Sequence, residues 1–310
     1  MKIVFMGTPE IAVGTLSALY NTGHEIAAVF TQPDKPVGRK QILTPSPVKQ
    51  FAENNGIKVF QPASLRDGAA LGILKEINPD IIVVVAYGKI LPKEILELPK
   101  YGCINGHASL LPKYRGASPI QWCIVCGETV TGVTAMKMDE GMDTGDIIEM
   151  SEVSISEDMN ADELYDILTE TAADLILETL EKIENGTAVY TKQDDSKSSY
   201  APIIKKEMAL IDFNKTANEI HNAVRGFYSW PTAYFYLNGK RIKVYKTKVS
   251  DKVAATPSSV IESDKRFIVA CGENTAIELL EIQGEGSKRM SAQSFLMGNK
   301  IPVGFRIETE

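Results

Sequence analysis

Residues 81–85 read Ile-Ile-Val-Val-Val, with Asp80 before them and Ala86, Tyr87 and Gly88 behind. A strand of such unbroken apolarity has to be covered on both faces, which is how strands of parallel sheets read once helices pack on either side. The chain opens in a matching way. A β-branched and aromatic run at residues 2–6 leads into Gly7-Thr8-Pro9, a helical pattern follows through Tyr20, and residues 25–31 give another strand. Strand, glycine turn, helix, strand is a βαβ opening. Open sheets of this class place ligands beyond the carboxyl ends of their strands, so the turn at residues 87–92 is a candidate site wall. The opening lacks G-x-G-x-x-G, since Gly7 alone is in place, and this argues against a dinucleotide oxidoreductase.

Residues 32–47 hold four prolines, a glycine and the cations Lys35, Arg39 and Lys40. Such a stretch gives neither strand nor helix a footing. The cations can meet phosphates, or simply solvate a surface loop. Residues 161–184 carry a 3.6-residue apolar stripe through Leu164, Ile167, Leu168, Ala172, Leu175, Leu180 and Ile183, which predicts one long helix. Residues 191–200, Thr-Lys-Gln-Asp-Asp-Ser-Lys-Ser-Ser-Tyr, are polar and read as a linker. The expected boundaries are 1–190, a linker at 191–205, and 206–310.

The last segment differs in character. Thr216 and Glu219 form a capping box at a helix start. From residue 233 short strands alternate with turns, at 233–237, 241–249, 259–262, 267–271, 276–282 and 302–307, and Asn238-Gly239 is a hairpin signal. The spacing predicts a small β-barrel. Lys240, Arg241, Lys243, Lys246 and Lys248 crowd one hairpin, and strict alternation would put the even-numbered members on one face.

Charge follows this division. The net charge is −7, from 33 Lys+Arg against 40 Asp+Glu. Residues 201–310 hold 16 against 12, a balance of +4, which leaves −11 for residues 1–200. A local basic face lets an acidic chain bind a polyanion, although plain unevenness between domains reads as well. The four cysteines do not form a disulfide framework; Cys123 and Cys126 are expected to be two buried thiols on one helix. No apolar run approaches a membrane span, and the first residues lack a signal-peptide core, so a cytoplasmic chain is expected.

Between the sheet and the long helix lies the densest chemistry. Asn105 and His107 sit two apart on a predicted strand, so both side chains face one way. The loop Ser109-Leu110-Leu111-Pro112 follows, and a second strand over 132–138 runs into Asp139, Gly141, Asp143 and Gly145. An amide, an imidazole and a carboxylate can thus converge, with no serine nucleophile and no metal-ligand spacing. Such a set suits acyl or formyl transfer to an amine. Asn105 donates to the developing oxyanion, His107 handles a proton or stabilises the charge, and Asp143 orients the ring. Read from residue types alone, a structural histidine beside an ordinary Asp–Gly turn fits equally well.

The motifs at residues 105–120 (N-G-H-A-S-L-L-P-K-Y-R-G-A-S-P-I) and 131–147 (T-G-V-T-A-M-K-M-D-E-G-M-D-T-G-D-I) resemble the folate-dependent formyltransferases. The similarity spans nearly the whole chain, through M-G-T-P at 6–9, T-Q-P-D-K-P-V-G-R-K at 31–40, V-V-V-A-Y-G-K-I-L-P at 83–92, and the A-P-I-I-K-K-E and M-S-A-Q segments. The resemblance implies a Rossmann-like catalytic domain followed by an OB-like barrel. It implies Asn105, His107 and Asp143 as the catalytic set, with no metal. Ser109, Leu110, Leu111 and Pro112 would touch the folate; Tyr87, Gly88, Ile90 and Asp139 would wall its pterin pocket. The basic proline-rich loop and the extra domain point to the tRNA-directed branch. That branch moves the formyl group of 10-formyltetrahydrofolate to the α-amino group of initiator methionyl-tRNA, for translation initiation. Lys35, Arg39, Lys40 and Lys243 would then contact tRNA, and a monomer is expected. Against the family pattern, Gly106 stands for a β-branched residue, Ile11 for a Phe, and Met208-Ala209-Leu210 where an acidic residue and Gly are common. Two rivals share these features: a formyltransferase or hydrolase with a small acceptor, and a non-catalytic RNA- or folate-binding protein.

Overall fold

A computed structural model describes residues 1–38, 40–253 and 256–308. The chain divides into two compact units: residues 1–119, 130–154 and 165–201, and residues 120–129, 155–164 and 202–310. The division at 201/202 falls inside the expected linker. Two stretches of the first 190 residues group with the second unit, which linear boundaries cannot express.

The first unit is built on a seven-stranded sheet of β1 (Lys2–Gly7), β2 (Glu25–Phe30), β3 (Val59–Phe60), β4 (Ile81–Val85), β5 (Cys103–His107), β6 (Val130–Lys137) and β7 (Ile147–Ser154). Their order is β7-β6-β5-β4-β1-β2-β3. The five strands from β3 to β5 pair in parallel. Strands β6 and β7 run antiparallel at one edge, so the sheet is mixed. As the apolar run requires, Ile81 to Val85 are all buried. The covering helices are α1 (Glu10–Tyr20), α2 (Pro47–Asn54), α3 (Ala69–Ile77), α4 (Lys93–Leu96) and most of α6 (Ala161–Glu184); α5 (Pro119–Val125) follows β5 in the chain but groups with the second unit apart from Pro119. The α6 stripe buries Leu168, Ala172, Leu175, Ile176, Leu180 and Ile183.

The proline-rich stretch is not structureless. Lys35–Val37 and Ile42–Thr44 pair as a short antiparallel hairpin, with Lys35 and Lys40 exposed. Pairing with a second strand gives this breaker-rich stretch a partner, and a proline is tolerated in an edge strand of this kind. Arg39 lies outside the described residues. Cys123 is buried, but Cys126 falls just past the end of α5 and is exposed, which corrects the expected buried pair.

In the second unit, α7 (Ala217–Gly226) starts as its capping box dictates. Thr216 Oγ1 accepts from the Glu219 amide while the Glu219 carboxylate accepts from the Thr216 amide at 2.9 Å. The antiparallel sheet comprises β8 (Tyr234–Leu237), β9 (Lys240–Val249), β10 (Val260–Glu262), β11 (Phe267–Ala270), β12 (Ala276–Gly284) and β13 (Met290–Ser291), in the order β8-β9-β12-β11-β10 with β13 on β12. Residues 302–307 are not a strand. Arg306 bridges Ser259 and Glu308 bridges Tyr236, so the tail ties one edge of the curled sheet to the other. A helix absent from the sequence reading, α8 (Ala292–Gly298), buries Phe295 and Leu296 against this core. Register shifts between Val244 and Thr247 break the alternation of β9. Ile242, Val244 and Thr247 point inward, so parity fails, and Lys243 shares the outer face with Lys246 and Lys248.

Candidate active site

Strand β5 is buried along its length, and Gly106 faces α6, where a Cβ would lie 3.4 Å from Ile176. Asn105 and His107 therefore face away from α6. They are 9% and 7% exposed, so polar atoms there need partners. The His107 ring finds two. Its Nε2 lies 2.9 Å from the Tyr114 carbonyl oxygen, which only accepts, so Nε2 carries the proton. Nδ1, the remaining nitrogen, faces Asp143 Oδ1 at 3.7 Å. That is ion-pair distance and too long for a hydrogen bond, so a proton arriving on Nδ1 is met by a carboxylate. The Asn105 side chain, by contrast, makes no hydrogen bond among the described residues, and its carboxamide is free to serve something else.

Asp143 reaches this point by an indirect route. Because β5 and β6 are antiparallel, the turn after β6 emerges beside the start of β5, with the Met138 amide bonded to the Cys103 carbonyl. The loops therefore do not leave one common end of the sheet, as a parallel reading implies. The 138–146 turn folds back instead. Gly145 permits this, since a Cβ there would sit 1.8 Å from the Lys137 carbonyl oxygen. Asp143 itself adopts φ +55°, a left-handed conformation that costs a non-glycine residue energy unless its surroundings fix it. One fixing contact is the Gly116 amide, which donates to Asp143 Oδ2 at 2.7 Å.

The loop after β5 is held from both sides. Thr134 of β6 donates its hydroxyl to the Ser109 carbonyl at 2.6 Å and accepts the Leu111 amide at 3.1 Å. Ser109 is fully buried with its hydroxyl engaged by the Lys113 carbonyl, Leu111 is buried, and Leu110 and Pro112 are half-buried. From the other side comes the stretch expected to be a free linker. Tyr200–Ala201 pairs in parallel with Arg115–Gly116, Ser199 Oγ accepts the Tyr114 amide at 2.9 Å, and the Ser199 carbonyl accepts the Arg115 amide. Tyr114 and Gly116 are the two backbone positions that hold His107 and Asp143. Sequence reasoning missed Tyr114, Gly116, Gln193 and Ser199, because a polar run without periodicity looks the same whether it is solvated or paired.

The four residues expected to wall the pterin pocket sit in different settings. Asp139 lines a cleft of about 450 Å³ with Leu96, Lys100, Lys137, Met138 and Glu140. Its carboxylate is occupied by the Gly141 amide and the Thr144 hydroxyl. Ile90 is exposed. Tyr87 is 2% exposed, its side chain packed in the core and its hydroxyl buried without a partner among the described residues; burial pushes that hydroxyl up to about 12. What residue 87 offers the site is backbone: its carbonyl accepts from Thr8 and Gln32, which ties the turn to the loops after β1 and β2. Gly88, at φ +77°, continues this turn. Lys243 is half-buried on the second unit. Among the described residues no group of three or more His, Cys, Asp or Glu side chains is arranged to hold a metal ion, and no helix is long and apolar enough to cross a membrane.

Residues 1–180 match the formyl transferase family, and residues 203–300 match the formyl transferase C-terminal domain. The chain belongs to the formyl transferase family. Among curated members, methionyl-tRNA formyltransferase of Caldanaerobacter subterraneus subsp. tengcongensis is 49% identical over 306 residues, covering 98% of this chain and 99% of the relative. Methionyl-tRNA formyltransferase of Clostridioides difficile is 50% identical over 305 residues, at 98% and 99% coverage. Among solved structures, an N-formyltransferase from Helicobacter canadensis in complex with folinic acid and dTDP-3-aminofucose superposes with TM-score 0.70 at 25% identity, covering 92% of this chain and 99% of that one. Formyl transferases thus account for both units of the chain, the mixed sheet and the small β domain alike.

Proposed function

We propose that this protein transfers the formyl group of 10-formyltetrahydrofolate to the α-amino group of initiator methionyl-tRNA. The observation that carries this reading is the near-complete similarity, 46–50% identical over at least 98% of the chain, to relatives that bear the name methionyl-tRNA formyltransferase. The chemistry of the first unit supports it. A folate co-substrate supplies an activated formyl carbon; its carbonyl oxygen needs a donor, and the buried, unpartnered Asn105 carboxamide fits that need.

His107 and Asp143 divide the remaining work. With Nε2–H committed to Tyr114, the ring can take or give a proton at Nδ1 alone. Nδ1 accepts the proton that the attacking amine must lose once it has added to the formyl carbon, and Asp143 stabilises the resulting imidazolium across 3.7 Å. The same Nδ1–H then returns a proton to the departing folate nitrogen. In balance, one C–N bond forms to the methionyl amine, one breaks at the folate, and one proton crosses between the two nitrogens.

Lys35, Arg39, Lys40 and Lys243 are assigned to the tRNA backbone. The exposed Lys35 and Lys40 by the paired strands 35–37 and 42–44, and the outward face of β9, offer cations of the kind phosphates select. The protein is taken to work as a cytoplasmic monomer. The deciding experiment offers 10-formyltetrahydrofolate together with charged initiator tRNA or a dTDP-amino sugar. Formylation of the tRNA alone supports the reading, whereas preference for the sugar nucleotide overturns it. Arg39→Ala should raise KM for tRNA and leave KM for the folate; the reverse pattern removes the loop from acceptor binding.

A further inference from the structure

One side chain in the supposed linker touches the catalytic turn directly. Gln193 Nε2 lies 2.8 Å from the carbonyl oxygen of Asp143 and 2.8 Å from that of Gly145. A primary amide has two N–H donors, and these two carbonyls use both. The other end of the amide is fixed as well. Arg115 donates to Gln193 Oε1 through Nε at 3.1 Å and through Nη2 at 2.8 Å, and Nη2 also meets Asp195 at 2.7 Å. Arg115 only donates, so the amide orientation follows from its partners: oxygen toward Arg115, nitrogen toward the turn. Both interacting groups are shielded, the Arg115 side chain being 12% exposed.

Asp143 needs this support. It is held at φ +55° and its turn runs back across the sheet. The Gly116 amide anchors one carboxylate oxygen, but the backbone that carries the carboxylate is gripped on either side of Thr144 by Gln193. We propose that Gln193, oriented by Arg115, is a positioning residue of the transfer reaction: it sets where the Asp143 carboxylate stands relative to His107 Nδ1. Neither residue touches His107 or a reacting atom, so both act through Asp143. This inference rests on the roles given above to His107 and Asp143.

The test is Gln193→Glu, which keeps size and shape, keeps an acceptor for Arg115, and replaces both donors by oxygens facing two carbonyls. The expected result is a fall in kcat of roughly 10- to 100-fold with KM for folate and tRNA within about twofold, the scale set by misplacing a catalytic group by an ångström or less. A space-filling glutamine would tolerate this swap, so wild-type kcat in Gln193→Glu overturns the proposal. Arg115→Met serves if Gln193→Glu does not fold. It frees the amide to rotate and should lower kcat by a smaller factor; unchanged kcat in Arg115→Met also overturns the proposal. A substrate-free readout separates this from the choice of acceptor. The chain has three histidines, so the ring resonance of His107 can be followed beside those of His24 and His221. In Gln193→Glu it should move while the other two stay. If methionyl-tRNA proves the wrong acceptor but the resonance moves, the positioning stands; an unmoved resonance sinks it whatever the acceptor.

Discussion

Gly106 offers a quantitative test of the site's architecture. It lies between Asn105 and His107 on β5. Its φ is not in the left-handed region, so the backbone does not require glycine there. A Cβ would stand 3.4 and 3.5 Å from Ile176 Cγ1 and Cδ1 and 3.5 Å from Val85 Cγ2, which are ordinary contacts in a buried wall. Gly106→Ala thus buries one methyl, worth about 0.8 kcal/mol. It also removes roughly 0.4–1 kcal/mol of unfolded-chain freedom. The sum is about 1–2 kcal/mol of stabilisation, or roughly 2–7 °C in Tm for a domain of this size. Activity should be unchanged within about twofold, since the new methyl points to α6 and the catalytic side chains point away. Scanning calorimetry of the two proteins, with initial rates alongside, reads both quantities. A lowered Tm, or a kcat down more than about tenfold, would show that the strand needs glycine or that residue 106 shares the catalytic face. Either result refutes the assignment of faces. Gly106→Val adds two more methyls to a wall already in contact, and overpacking of about 1–3 kcal/mol should cancel the gain.

Further outcomes follow from particular contacts. Gly145→Ala drives a Cβ to 1.8 Å from the Lys137 carbonyl, so the turn must shift. It should cost more than about 2 kcal/mol in urea unfolding and remove most turnover, because Asp143 moves with the turn. Thr216→Ala removes the α7 cap and should cost about 1 kcal/mol of stability, read by the same unfolding curves. Hydrogen bonds from the Thr216 amide and hydroxyl hold the Glu219 carboxyl below its usual value, so its contribution is full above the unfolded-state value near 4.5 and fades as pH falls through the lower folded value. Glu219→Gln should therefore flatten the acid limb of the second unit's stability, and an unchanged limb would assign that limb to other carboxylates.

Much of the fold was legible because single segments carried it. The Ile81–Val85 run fixed a strand covered on both faces, the stripe at 161–184 a long helix, and Thr216 with Glu219 a helix start. What escaped depends on partners remote in sequence. Nothing in residues 130–137 says that the strand pairs antiparallel to β5, yet that direction decides how Asp143 must travel. The outward face of β9 turns on a bulge between Val244 and Thr247 that no alternation pattern foretells. Residues 35–44 looked breaker-rich, but two facing strands complete each other's hydrogen bonds there. Most telling is the 191–200 stretch. Gln193, Asp195 and Ser199 within it bond Tyr114, Arg115 and the Asp143 turn, and polarity alone cannot distinguish such pairing from solvation. In the site, residue types suggested the amide, imidazole and carboxylate. The Tyr114 carbonyl that selects the His107 tautomer is a backbone atom and leaves no mark on the sequence.

The central claim is that a single imidazole, protonated at Nε2 and facing Asp143 through Nδ1, moves the proton of the transfer. Its most direct test is the single-turnover rate of His107→Ala with methionyl-tRNA and 10-formyltetrahydrofolate both saturating, beside far-UV dichroism to verify the fold. The account predicts a drop on the order of 10²–10⁴-fold in a folded protein, the range of a lost general acid–base. A folded variant within tenfold of the wild-type rate would contradict it.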